Sequence, residues 1–77
     1  MSNDFDNKLK GLSALNRRVD DLCKDGYYIN FMYESDDMQL VKLVHNNGNR
    51  ISLVLKWSSG TISQRTNNKE VYCEKVY

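Results

Sequence analysis

The chain has 77 residues, with eleven Lys or Arg, ten Asp or Glu and one His, for a net charge of +1 at neutral pH. That length sets the expectation of one small domain spanning 1–77, which hides only about 60% of its unfolded surface. The charge suggests neither strong nucleic-acid binding nor an acidic mimic, the two cysteines fall far short of a disulfide framework, and no apolar run is long enough for a leader or a span, so a cytoplasmic protein is expected.

Ser2, Asn3 and Asp4 suit an N-cap, and Asp4 and Asp6 put negative charge at the positive end of a helix dipole. Phe5, Leu9, Leu12, Leu15, Val19, Leu22 and Cys23 follow at helical spacing. Lys24 falls in the last turn and Gly26 suits the C′ position, so the expected helix covers about 4–25. Gly11 weakens it by about 1 kcal/mol relative to Ala. The apolar stripe is expected to pack on the chain's own sheet. A helix-mediated dimer is the alternative, with Phe5, Leu12 and Val19 at a positions and Leu15 and Leu22 at d.

At Gly26 the hydrophobic rhythm changes to a period of two, interrupted at Ser35-Asp36-Asp37, Asn47-Gly48 and Ser59-Gly60. That pattern predicts an antiparallel meander over about 27–77. A two-residue type I′ turn at Asn47-Gly48 sets Val44 opposite Ile51, Lys42 opposite Leu53, Leu40 opposite Leu55 and Met38 opposite Trp57. A turn tipped by Ser35-Asp36 then sets Tyr33 opposite Met38, Phe31 opposite Leu40, Ile29 opposite Lys42 and Tyr27 opposite Val44. A third tight turn at Ser59-Gly60 brings Ile62 beside Trp57. All three turns gather the large apolar groups on one face. Lys42 is the exception, expected to snorkel past its neighbours or to pair with an acid of the helix. Thr61 to Thr66 reads as a weak strand, Asn67 to Glu70 as a turn, and Val71 to Tyr77 as an edge strand guarded by Glu74 and Lys75. Cys23 and Cys73 are expected as small buried or half-buried hydrophobes. The fold class is α+β: one N-terminal helix packed on a four- to five-stranded antiparallel β-meander.

Once the helix covers the apolar face, nothing remains to cover the other. In the expected register that open face presents Tyr28, Met32, Val41, Leu43, Arg50, Val54 and Lys56, with Asn30, His45 and Ser52 among them. An apolar centre with an aromatic and basic rim is the pattern of a protein interface. These seven are therefore the candidate partner-binding residues, and the same open face admits a homodimer formed sheet to sheet.

Charge is unevenly divided along the chain. Residues 1–37 hold five Lys or Arg against eight Asp or Glu, a balance of −3, and residues 38–77 hold six against two, a balance of +4. Arg50, Lys56, Arg65, Lys69 and Lys75 are interleaved with Trp57, Tyr72 and Tyr77, a mixture used by single-strand nucleic-acid binders. The net charge and the lack of an RNP-type aromatic motif argue against that use.

Motifs of catalysis are missing. His45 has no partner at triad or metal-ligand spacing, and neither C-x-x-C nor H-x-x-x-H occurs. Glu34, Asp36 and Asp37 lack the spacing of a calcium loop and fit a turn. Gly48 and Gly60 belong to hairpin turns, not to a phosphate loop. No enzyme activity, cofactor or metal is expected. A short chain of this kind resembles in type the small accessory proteins of bacteriophages. That resemblance implies inhibition of a host or defence protein, such as a CRISPR effector. The expected function is thus non-catalytic binding of another protein through the uncovered sheet face or an edge strand, edge addition being a known recognition mode for such sheets. The alternative is a small single-stranded nucleic-acid-binding regulator.

Overall fold

A computed structural model describes residues 3–77. The capping expected of Ser2 lies outside the described residues. One helix, α1 (Asn3–Lys24), precedes five strands: β1 (Tyr27–Glu34), β2 (Met38–His45), β3 (Arg50–Lys56), β4 (Thr61–Thr66) and β5 (Lys69–Lys75). The strands form one antiparallel sheet in the order β1-β2-β3-β4-β5. The α+β meander read from hydrophobic rhythm is therefore the fold, with five strands. Among the described residues no helix is long and apolar enough to cross a membrane.

The β2–β3 connection decides which face is buried. His45 N–H donates to the Asn49 carbonyl (2.9 Å), and Gly48 N–H donates to the His45 carbonyl (2.9 Å). The loop is therefore three residues, Asn46, Asn47 and Gly48. It is a type I turn followed by Gly48 at φ +96°, the left-handed position that glycine takes without strain. A type I′ turn would need positive φ at Asn47 as well, and Asn47 does not have it. The extra residue shifts the register by one, to Val44↔Arg50, Leu43↔Ile51, Lys42↔Ser52 and Val41↔Leu53. A slip of one residue exchanges the two faces of a strand. The expected core contribution of β2, Met38, Leu40 and Val44, is thereby corrected to Val41 and Leu43.

The other two turns also differ from expectation, each by two residues in the pairing next to the turn, which preserves the faces there. The β1–β2 tip is Asp36-Asp37, closed by Ser35 N–H to the Met38 carbonyl (2.9 Å). The Ser35 hydroxyl accepts from the amides of Asp37 and Met38. Lys56 pairs with Thr61 and Leu55 with Ile62, across a loop closed by Gly60 N–H to the Lys56 carbonyl (2.9 Å). The two-residue turn with positive φ at both positions occurs instead at Asn67 and Asn68 (φ 52° and 72°), between β4 and β5.

The core comprises Ala14, Leu15, Val19 and Leu22 of α1 packed on Val41, Leu43, Ile51, Leu53, Leu55 and Ile62. Gly11 lies tight against the sheet: a Cβ there would meet Leu55 Cδ2 at 2.9 Å. The glycine that weakens the helix locally is what lets it sit down on β3. The buried helical stripe is rotated from the expected one. Leu12 is partly buried, whereas Phe5, Leu9 and Cys23 are exposed. Cys73 is exposed too, so neither cysteine is the buried hydrophobe expected. Trp57 packs against the core and donates Nε1–H to the Ser35 carbonyl (2.9 Å), while Tyr77 donates its hydroxyl to the Trp57 carbonyl (2.7 Å). These two bonds tie the β1–β2 tip and the chain end to the β3–β4 loop.

Candidate functional site

The face of the sheet away from α1 is built from the residues that alternate with the core. Cross-strand register arranges them in rows. One row is Phe31, Lys42, Ser52, Arg65 and Glu70, running from β1 to β5. The next is Tyr33, Leu40, Val54, Ser63 and Cys73. Beyond it lie Met38, Lys56, Thr61 and Lys75, and on the other side Tyr28, Val44 and Arg50. An apolar row is thus bordered by cationic ones. Lys42, Arg50, Lys56, Arg65 and Lys75 are all exposed, and Glu70 is the carboxylate registered among them. The Lys42 ammonium lies 5.9 Å from the centre of the Phe31 ring, a cation–π distance. A shallow polar depression on this face is lined by Tyr28, Asn30, Lys42, Arg50, Ser52 and Arg65.

Strand β1 is the second feature. A bulge at Asn30 interrupts its pairing with β2, between Ile29↔Leu43 and Phe31↔Lys42. Tyr28, Phe31 and Tyr33 consequently share the outer face, while Ile29 and Met32 lie on the helix side. The helix leaves both about half exposed. Tyr28, Ile29, Phe31, Met32 and Tyr33 are each 43–57% exposed. Five large apolar side chains on an open sheet edge exceed the scattered exposure normal for a monomer.

Of the seven residues expected at the interface, Tyr28, Arg50, Val54 and Lys56 lie on the outer face, with Val54 half-buried. Met32 is exposed at the edge but on the helix side. Val41 and Leu43 are corrected: they are 2% and 0% exposed beneath the helix, because the three-residue loop turns them inward. Lys42, Phe31, Tyr33 and Arg65 take their place on the outer face. The signal for this was Lys42 itself, which the expected register had stranded in the core.

The helix side carries a polar cluster that holds the fold. Arg18 Nε–H donates to Gln64 Oε1 (2.9 Å), and its guanidinium lies 4.3 Å from the centre of the Tyr72 ring. Tyr72 donates its hydroxyl to Glu74 (2.6 Å), and that bond, with burial and the carboxylate charge, raises the phenol above its usual pKa. His45 accepts the Asn47 N–H at Nδ1 (3.0 Å) and faces the Asp25 carbonyl through Nε2 (3.2 Å). Those two contacts fasten the helix end to the β2–β3 loop. Among the described residues no group of three His, Cys, Asp or Glu is placed to hold a metal ion.

Comparison with protein-family models, with curated proteins and with solved structures finds no match to this chain.

Proposed function

We propose that this protein is a small, non-catalytic protein-binding module that docks its outer sheet face on an acidic surface of its partner. The observation that carries this reading is the composition of that face. Five exposed cations and one carboxylate lie around an apolar row, and among the described residues no element covers them. Charge of one sign steers encounter and suppresses wrong partners, and the apolar row supplies the area to be buried. Occupying a partner's surface is sufficient for an inhibitor of a host or defence protein, and needs neither cofactor nor metal. The same geometry supports a second reading. Tyr28, Phe31 and Tyr33 stand half-exposed on one face beside Lys42 and Arg50, an arrangement suited to stacking the bases of a single strand.

The test is capture from bacterial lysate on the immobilised chain after nuclease treatment. Wild type is compared with the double variant Lys42→Glu, Arg65→Glu. A protein retained in stoichiometric amount by wild type and lost from the variant is the expected result. Retention indifferent to charge reversal refutes the proposed face. Material that disappears with nuclease favours the single-strand reading.

A further inference from the structure

We infer that β1 is a dimerisation strand, and that its occupant is β1 of a second copy, antiparallel across a twofold axis between Asn30 and Phe31. The argument begins with the hydrogen-bonding phase of the edge. The Ser35 N–H to Met38 carbonyl bond fixes that phase at the hairpin tip. Alternation along an antiparallel pair then directs the amides and carbonyls of Tyr33 and Phe31, and of Tyr28 beyond the bulge, toward β2. The corresponding groups of Tyr27, Ile29, Met32 and Glu34 are left on the open edge.

Those four positions are arranged symmetrically. Reading β1 against itself in reverse, Tyr27 meets Glu34 of the second copy and Ile29 meets Met32, both as hydrogen-bonded pairs with side chains on the helix side. Tyr28 meets Tyr33 as a non-bonded pair with both rings on the outer face. Every residue of the strand is used, and faces and hydrogen-bonding groups agree at each of these pairs. Without the bulge at Asn30 this full-length register would set inward-bonding residues against outward-bonding ones and would exchange the faces. The bulge therefore gives the edge the self-complementarity that a twofold interface requires.

Composition agrees. Edge strands that stay single are guarded by charge, proline or shortness. The other edge, β5, is guarded by Lys69, Glu70, Glu74 and Lys75. Strand β1 has eight residues, no lysine and no proline, and its single charge, Glu34, meets a tyrosine in the pairing described. Five large side chains about half exposed on each copy offer roughly 1,000 Å² in total, of which pairing at the edge removes a part, so the contact is of the weak, concentration-dependent kind. The product is a ten-stranded sheet in which the two outer faces join, with the six exposed aromatic rings at its centre.

Sedimentation velocity across a concentration series, up to about 100 µM, where a micromolar pair is fully formed, tests this. Wild type is expected to double in mass with concentration. The variant Ile29→Lys, Met32→Lys sets lysine against lysine across the axis and is expected to stay monomeric with an unchanged far-ultraviolet circular dichroism spectrum. Val71→Lys on β5, and the outer-face variant Lys42→Glu, Arg65→Glu, are expected to dimerise like wild type, which separates this inference from the proposed function. Hydrogen exchange on wild type asks the same without substitution: the Ile29 and Met32 amides are expected to slow at high concentration. A wild type that stays monomeric, a dimer that survives the Ile29→Lys, Met32→Lys change, or edge amides indifferent to concentration would overturn it.

Discussion

Leu43 and Lys42 are adjacent in β2 and lie on opposite faces, so substituting each by alanine reads the register directly. Leu43 is fully buried between α1 and the sheet. Its replacement removes three carbons from a packed site, with an expected loss of ~2–5 kcal/mol. In a domain of this size each kcal/mol moves the melting temperature by about 4–8 °C. Leu43→Ala should therefore melt at least ~8 °C below wild type. Lys42 is exposed, and Lys42→Ala should change stability by no more than ~0.5 kcal/mol. Thermal and urea denaturation followed by circular dichroism measures both. If Lys42→Ala were the more destabilising substitution, β2 would be packing its other face on the helix and the outer surface described above would be wrong.

Other expectations test the supports of this arrangement. Gly11→Val should destabilise by ~1–3 kcal/mol despite removing a helix glycine, because its side chain has no space against Leu55; urea unfolding reads the sign. Arg18→Ala leaves the buried Gln64 carbonyl without its guanidinium donor and should cost about 1–3 kcal/mol, measured in the same way. The Tyr72 phenol is raised by its bond to Glu74, so its contribution to stability is present below the ordinary phenol pKa of about 10 and is lost as pH rises through the higher folded value. In an ultraviolet titration, Glu74→Gln should move that ionisation back toward the ordinary value.

Much of this fold is legible in the sequence, because hydrophobic period is a property of many residues at once. The change of rhythm at Gly26, the helical stripe and the turn signals locate all six elements to within a few residues. The phase of the sheet depends on one loop. Asn46-Asn47-Gly48 serves equally as part of a two-residue or a three-residue hairpin, and the local chemistry barely distinguishes them. Burial decides: the three-residue form places Val41 and Leu43 inside and Lys42 outside. The bulge at Asn30 is likewise invisible to alternation, since Tyr28-Ile29-Asn30-Phe31-Met32 is apolar on both sides of it. Tyr28, Arg50, Val54 and Lys56 reach the outer face in either register for different reasons. Tyr28 is restored there by the bulge, and the three residues of β3 keep their face because only the β1–β2 hairpin turns over.

Amine-reactive footprinting of the chain, alone and with its captured partner bound, tests most directly whether the outer face is the one used. Lys42 and Lys56 lie on that face, and the exposed Lys10 and Lys24 lie on the helix. Protection of Lys42 and Lys56 on binding, with Lys10 and Lys24 still reactive, is the expected result. Protection confined to Lys10 and Lys24 would place the partner on the helix and contradict the account.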